Sequence, residues 1–69
     1  SKHTEEVKNV AIAVDKEGRY FYDKTPLSLA KIKEKLMELN PKKDVISLHM
    51  DKNSQFQYFV DIIDILKTK

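Results

Sequence analysis

His3 and His49 are the only side chains in this 69-residue sequence whose ordinary pKa lies near neutrality. A metal site needs three or more converging ligands, and neither His has a matching partner at ligand spacing. His49 also alternates with Leu48 and Met50, so it points away from their face as an exposed or hydrogen-bonded imidazole. Asp61 and Asp64 are three residues apart, on one side of a helical stretch. General acid-base chemistry would require a cleft that pushes their pKa values apart, whereas a solvated face requires nothing further. Asp15-Lys-Glu-Gly18 opens like a calcium loop but lacks the later ligands. Ser28, Ser47 and Ser54 stand in no triad pattern, and there is no phosphate-binding glycine loop or HExxH helix. The absence of Cys removes thiol nucleophiles, disulfides and Cys-bearing zinc sites. The chain therefore reads as non-enzymatic, with no catalytic residue, metal or cofactor.

What remains is chemistry of contact. Tyr20, Phe21 and Tyr22 are consecutive aromatics in a strand, so Tyr20 and Tyr22 share one face and Phe21 takes the other. They fit an edge strand with its hydroxyls in water, or a surface for a peptide or a second protomer. Between residues 56 and 67, Phe56, Phe59, Val60, Ile63 and Leu66 form a helical stripe expected to face the core. Tyr58, Ile62 and Ile65 widen that stripe well past what one core face needs. The expected contact residues are therefore Tyr20, Tyr22, Tyr58, Ile62 and Ile65.

These residues need a scaffold, and the chain supplies one domain. Residues 1–6 are polar and aperiodic, as a flexible linker would be, and 7–69 carry the pattern of a fold. Val10, Ile12 and Val14 alternate with Ala11 and Ala13, which predicts a central first strand over 7–15. The only Gly, Gly18, closes a four-residue hairpin leading to a second strand over 19–23. Residues 24–27 read as a connection. Ser28 is placed to cap a helix running to Asn40, whose core stripe is Leu29, Ile32, Leu36 and Leu39. Asn40-Pro41 stops that helix. A buried strand over 45–50 follows, parallel to a neighbour because a helical crossover precedes it. Asp51-Lys-Asn53 forms a turn, and Ser54 with Gln57 suggests a capping box for the second helix. The order β-β-α-β-α predicts an α+β fold, a small mixed sheet with two helices packed on one face.

The last third of the chain resembles the periplasmic domain of the ExbD/TolR family. An aliphatic strand over 45–50 ends at Asp51, an aromatic follows five residues later at Phe56, and the helix carries Asp64 and then Leu66. Family members more often have Tyr where this chain has Phe56, and Arg where it has His49. The resemblance covers the rest of the chain more loosely. It implies a single-pass protein of the bacterial inner membrane with this domain in the periplasm. The transmembrane helix would carry a proton-relaying Asp and would lie outside these residues, as would a last strand after the second helix. It also implies a homodimer, a channel partner of the ExbB/TolQ kind, and a transducer of the TonB/TolA kind. In that role the domain takes part in energised transport, or in maintaining the envelope, by binding rather than by chemistry. ExbD and TolR share the pattern, so it does not separate them.

Composition bears on the other classes. The net charge is +2, there is one Arg, and the Lys residues are spread along the chain. Nucleic-acid binders cluster positive charge on one face. The aromatic triplet could stack bases, but this dispersed charge speaks against an RNA-binding domain. A small cytosolic α+β ligand-sensing module that dimerises is the alternative to the motor-accessory reading.

Overall fold

A computed structural model describes residues 6–67. The strand at its centre is β1 (Asn9–Val14), shorter than the span predicted from sequence by two residues at the start and one at the end. Val10, Ile12 and Val14 turn inward and are almost fully buried, while Ala11 and Ala13 lie half-buried on the opposite face. β2 (Tyr20–Tyr22) pairs antiparallel with β1, placing Tyr20 opposite Val14 and Tyr22 opposite Ile12. The turn between them depends on Gly18 at φ +83°, the left-handed conformation the hairpin requires.

The sheet contains a strand the sequence reading missed. Residues Thr25–Leu27 form β3, antiparallel to β2, where a connection was expected. Pro26 is tolerated there because β3 lies at the sheet edge, where a missing N–H leaves no ladder bond unmade. The two-residue loop also carries no Asn-Gly signal. Asp23 and Lys24 both adopt positive φ, 48° and 76°, the pattern a tight two-residue hairpin demands. The Asp23 side chain steadies it. Its Oδ1 accepts from the Ala11 N–H at 2.9 Å, while the Asp23 N–H donates to the Ala11 carbonyl at 2.8 Å.

α1 (Leu29–Met37) begins where the cap predicted it. The Ser28 Oγ accepts from the Lys31 N–H at 3.2 Å. Its C-cap is Glu38, slightly before the Asn40-Pro41 stop. Ile32, Leu36 and Leu39 are buried and Leu29 is partly buried, as the stripe required. The crossover then delivers β4 (Val45–Met50) beside β1 and parallel to it, giving the order β3-β2-β1-β4. Ile46 and Leu48 of β4 pack against the core, and His49 points outward and is exposed. α2 (Phe56–Lys67) returns across the same face as α1. The architecture is thus α+β, a mixed four-stranded sheet with both helices on one side.

α2 departs from the reading in two respects. The buried residues are Ile62, 0% exposed, and Ile65, 8% exposed. Phe56 is 73% exposed, and Phe59, Val60 and Ile63 are only partly covered. The helix is rotated relative to the expected stripe. A helix with two adjoining apolar stripes leaves the choice to its neighbours, and a wheel cannot make it. The cap also differs. The Ser54 hydroxyl donates to the Asp51 carbonyl at 2.8 Å and so closes the turn, while Gln57 Nε2 donates forward to Asp61 Oδ1 at 2.9 Å. The capping box is not formed.

Candidate binding surfaces

Tyr20, Tyr22, Tyr58, Ile62 and Ile65 do not gather into one exposed patch. Ile62 and Ile65 belong to the core, with Tyr20 and Tyr22 half-buried against it. Tyr58 pins the start of α2 to the β1–β2 hairpin. Its ring lies over Gly18, where a Cβ would collide with it, and meets the Tyr20 ring edge-on at a centroid distance of 6.2 Å. Burial raises the pKa of the Tyr20 hydroxyl, and the Asp61 and Tyr58 charges raise it further. The Tyr22 hydroxyl is raised in the same way, by burial first and then by Asp23 and Glu38. Both phenols therefore stay neutral. They lie as amphipathic residues half-buried against the core.

The family-motif residues have local structural roles. Asp51 shapes the turn after β4. Its Oδ1 accepts from the Asn53 N–H at 2.8 Å and its own N–H donates to the Val14 carbonyl at 3.0 Å, continuing the β1–β4 ladder. Asp64 is exposed, and Leu66 is partly buried against the core. Phe56 stands in solvent, its ring tilted against Phe59 at 5.4 Å between centroids.

Sequence reasoning assigned the outer stripe of α2 to the core and so missed it as a surface. Phe56 instead stands exposed and lines, with Phe59, a hollow at the Met50 end of β4, while Val60 and Ile63 are only partly covered. Among the described residues β4 is an edge strand, hydrogen-bonded to β1 alone, so one row of its backbone groups has no strand partner there. Two cavities border its ends. One of about 270 Å³ is lined by Leu36, Leu39, Asn40, Pro41, Asp44, Ile46 and Leu66. The other, about 240 Å³, lies among Met50, Asp51, Ser54, Phe56 and Phe59. An extended segment lying along β4 would thus find backbone partners on one side and apolar hollows beneath α2. The signal that could have found this surface was already present, in the excess apolar width of α2.

Two half-buried carboxylates act as loop clips. Asp15 Oδ1 accepts from the Glu17 and Arg19 N–H groups at 3.0 and 2.8 Å, and its Oδ2 accepts from Arg19 Nε at 2.7 Å. These bonds, led by the Arg19 backbone, hold its pKa below the ordinary carboxylate range. Asp44 is lowered likewise, first by the Asn40 N–H and then by the Lys8 N–H. Among the described residues no group of His, Asp or Glu converges as a metal site would, and no helix is long and apolar enough to cross a membrane.

Comparison with known proteins gives this architecture a family. The family model described as "Biopolymer transport protein ExbD/TolR" matches residues 1–69. A biopolymer transport protein ExbD from Helicobacter pylori is 38% identical over 60 residues, covering 87% of this chain and 46% of the relative. A putative biopolymer transport protein ExbD-like 2 from the same organism is 32% identical over 68 residues, covering 99% of this chain and 50% of the relative. The chain spans about half the length of the curated relatives it matches. The chain belongs to the ExbD/TolR family of biopolymer transport proteins.

Proposed function

We infer that this chain is a binding and coupling domain of an energised transport complex, and that it does no chemistry itself. In this reading it lies in the periplasm, tethered through a transmembrane segment to the inner membrane. The complex is of the ExbB-ExbD-TonB or TolQ-TolR-TolA type, driven by the proton-motive force. The domain forms a homodimer and passes the energised state to a transducer. Family membership supports the transport role. The observation that carries the binding role is α2, whose core-facing stripe is satisfied by Ile62 and Ile65 while Phe56 stands exposed, Phe59 and Ile63 stay only partly covered, and Phe56 and Phe59 lie at the end of the edge strand β4. An apolar flank next to a free strand edge suits strand addition, in which backbone bonds give affinity and side-chain pockets give specificity. A transducer segment, or a strand of this protein following α2, would both meet that edge.

The test replaces Phe56, Phe59 and Ile63 by Ser. Dimerisation is measured by sedimentation equilibrium, and binding to the soluble part of a TonB- or TolA-type transducer by calorimetry. The variant keeps the wild-type circular dichroism and loses at least one of the two associations. If both are retained at wild-type strength, the reading fails.

A further inference from the structure

Asp44 is placed to do more than close a loop. Its two carboxylate oxygens accept from backbone donors on different segments, Oδ1 from the Lys8 N–H at 3.0 Å and Oδ2 from the Asn40 N–H at 2.8 Å. Lys8 lies just ahead of β1, and Asn40 just past α1. Adjacent backbone bonds reinforce both ties. The Val45 N–H donates to the Lys8 carbonyl at 2.8 Å, and the Asp44 N–H donates to the Asn40 carbonyl at 2.8 Å. Asn40 steadies its own loop by accepting from the Lys42 N–H through Oδ1 at 2.9 Å. Asp44 and Asn40 also line the cavity of about 270 Å³, with Leu39, Ile46 and Leu66. One side chain therefore joins the segment entering the sheet to the wall of a hollow between α1, β4 and α2.

We propose that Asp44 is a coupling clip, linking the position of the chain entering β1 to the shape of the cavity bounded by Leu39, Ile46 and Leu66. The physical basis is that a carboxylate shared by two donors holds both at fixed separation. A charge-assisted bond is roughly twice as strong as a neutral one, so displacing Lys8 moves the carboxylate or breaks a bond. The other oxygen carries that displacement to Asn40 and the loop over 40–44. This goes beyond the proposed partner binding. The coupling is within one chain, so it can fail while partner binding holds, and partner binding can fail while the coupling holds.

The experiment uses methyl and amide NMR on the whole chain. Lys8→Pro removes the donor at the entry point and leaves every cavity residue unchanged. The expected result is a shift of the Leu39, Ile46 and Leu66 methyl signals, with about tenfold faster hydrogen exchange at the Asn40 amide. The Asp15–Arg19 hairpin, at the opposite end of β1, keeps its wild-type exchange. A second variant covers the case in which Pro at position 8 disturbs the strand start. Asp44→Asn keeps one acceptor oxygen and loses the other, so exchange must rise at Lys8 or Asn40, and the cavity methyls must shift with it. Cavity signals unchanged in both variants overturn the proposal. So does a loss of protection spread evenly over the sheet, which would mark Asp44 as an ordinary stability residue.

Discussion

The β1–β2 hairpin and the outer flank of α2 are built on opposite plans. At the hairpin end the turn is tied and covered by side chains. Gly18 takes a conformation few other residues adopt, the Tyr58 ring fills the space its missing side chain leaves, and Asp15 caps the turn with both oxygens. Along β4 and the flank of α2, by contrast, apolar rings and a strand edge are left open. In a domain this small, little core is available to cover a second stripe. The hairpin end covers the apolar surface of α2 it meets, and the flank leaves part of its own uncovered.

Paired substitutions in α2 give the widest contrast. Ile62→Ala empties a fully buried site and should cost about 2–5 kcal/mol of unfolding free energy, read by urea denaturation. Phe56→Ser, six residues earlier, should fall within about 0.5 kcal/mol of wild type, because its ring is already in water. Similar losses at both positions would mean that the flank is as structural as the core, and the contrast would collapse. Gly18→Ala comes next. It places a Cβ at positive φ, which costs roughly 1–2 kcal/mol, and overpacks the Tyr58 ring, which costs roughly 1–3 kcal/mol more. Adding Tyr58→Ala should recover the steric part and leave the backbone part, a non-additivity that a double-mutant cycle reads directly.

How far the sequence revealed this division depends on how many solutions each pattern allows. Val10, Ile12 and Val14 have one apolar face and one small face, and the strand sits as that pattern predicts. α1 has a single narrow stripe, and Ile32, Leu36 and Leu39 are buried as expected. α2 has two stripes and one core to satisfy. The core took Ile62 and Ile65, two of the residues expected to form contacts, and left Phe56 exposed and Phe59 only partly covered. Tertiary packing decided between them, and single-sequence periodicity carries no information on that choice. β3 stayed hidden for a local reason. Asp23-Lys24 does the work of Asn-Gly without its signature, and Pro26 looks like a strand breaker until the strand is known to lie at an edge. Asp44 was the least legible residue, because its partner Lys8 is distant in sequence and is brought to it by the parallel β1–β4 pairing.

That hidden turn yields a smaller prediction, this time of a gain. Lys24 holds φ 76° with a side chain that disfavours it. Lys24→Gly removes the conflict and should raise stability by about 0.5–1 kcal/mol, seen as a higher urea midpoint at unchanged slope. Asp23 must be kept, because its Oδ1 serves Ala11. A decrease would show that Lys24 fixes the unfolded chain more than it strains the folded one.

The smallest effect is in acid, where both ends of β1 carry a carboxylate clip. Asp15 and Asp44 have folded pKa values below the ordinary 3.8, so folding favours their ionised forms. Stability from each is fully present above the unfolded value and is lost as pH falls through it toward the folded value. Wild type should therefore lose stability below about pH 4, and Asp15→Asn and Asp44→Asn should each flatten that slope. The comparison lies in where the loss registers. Acid should loosen the Glu17 and Arg19 amides through Asp15, and the Lys8 and Asn40 amides through Asp44. If Asp44 couples two segments, its two amides gain exchange together at one apparent pKa. The Asp15 amides, confined to a single turn, should follow their own carboxyl and leave the cavity beside β4 undisturbed.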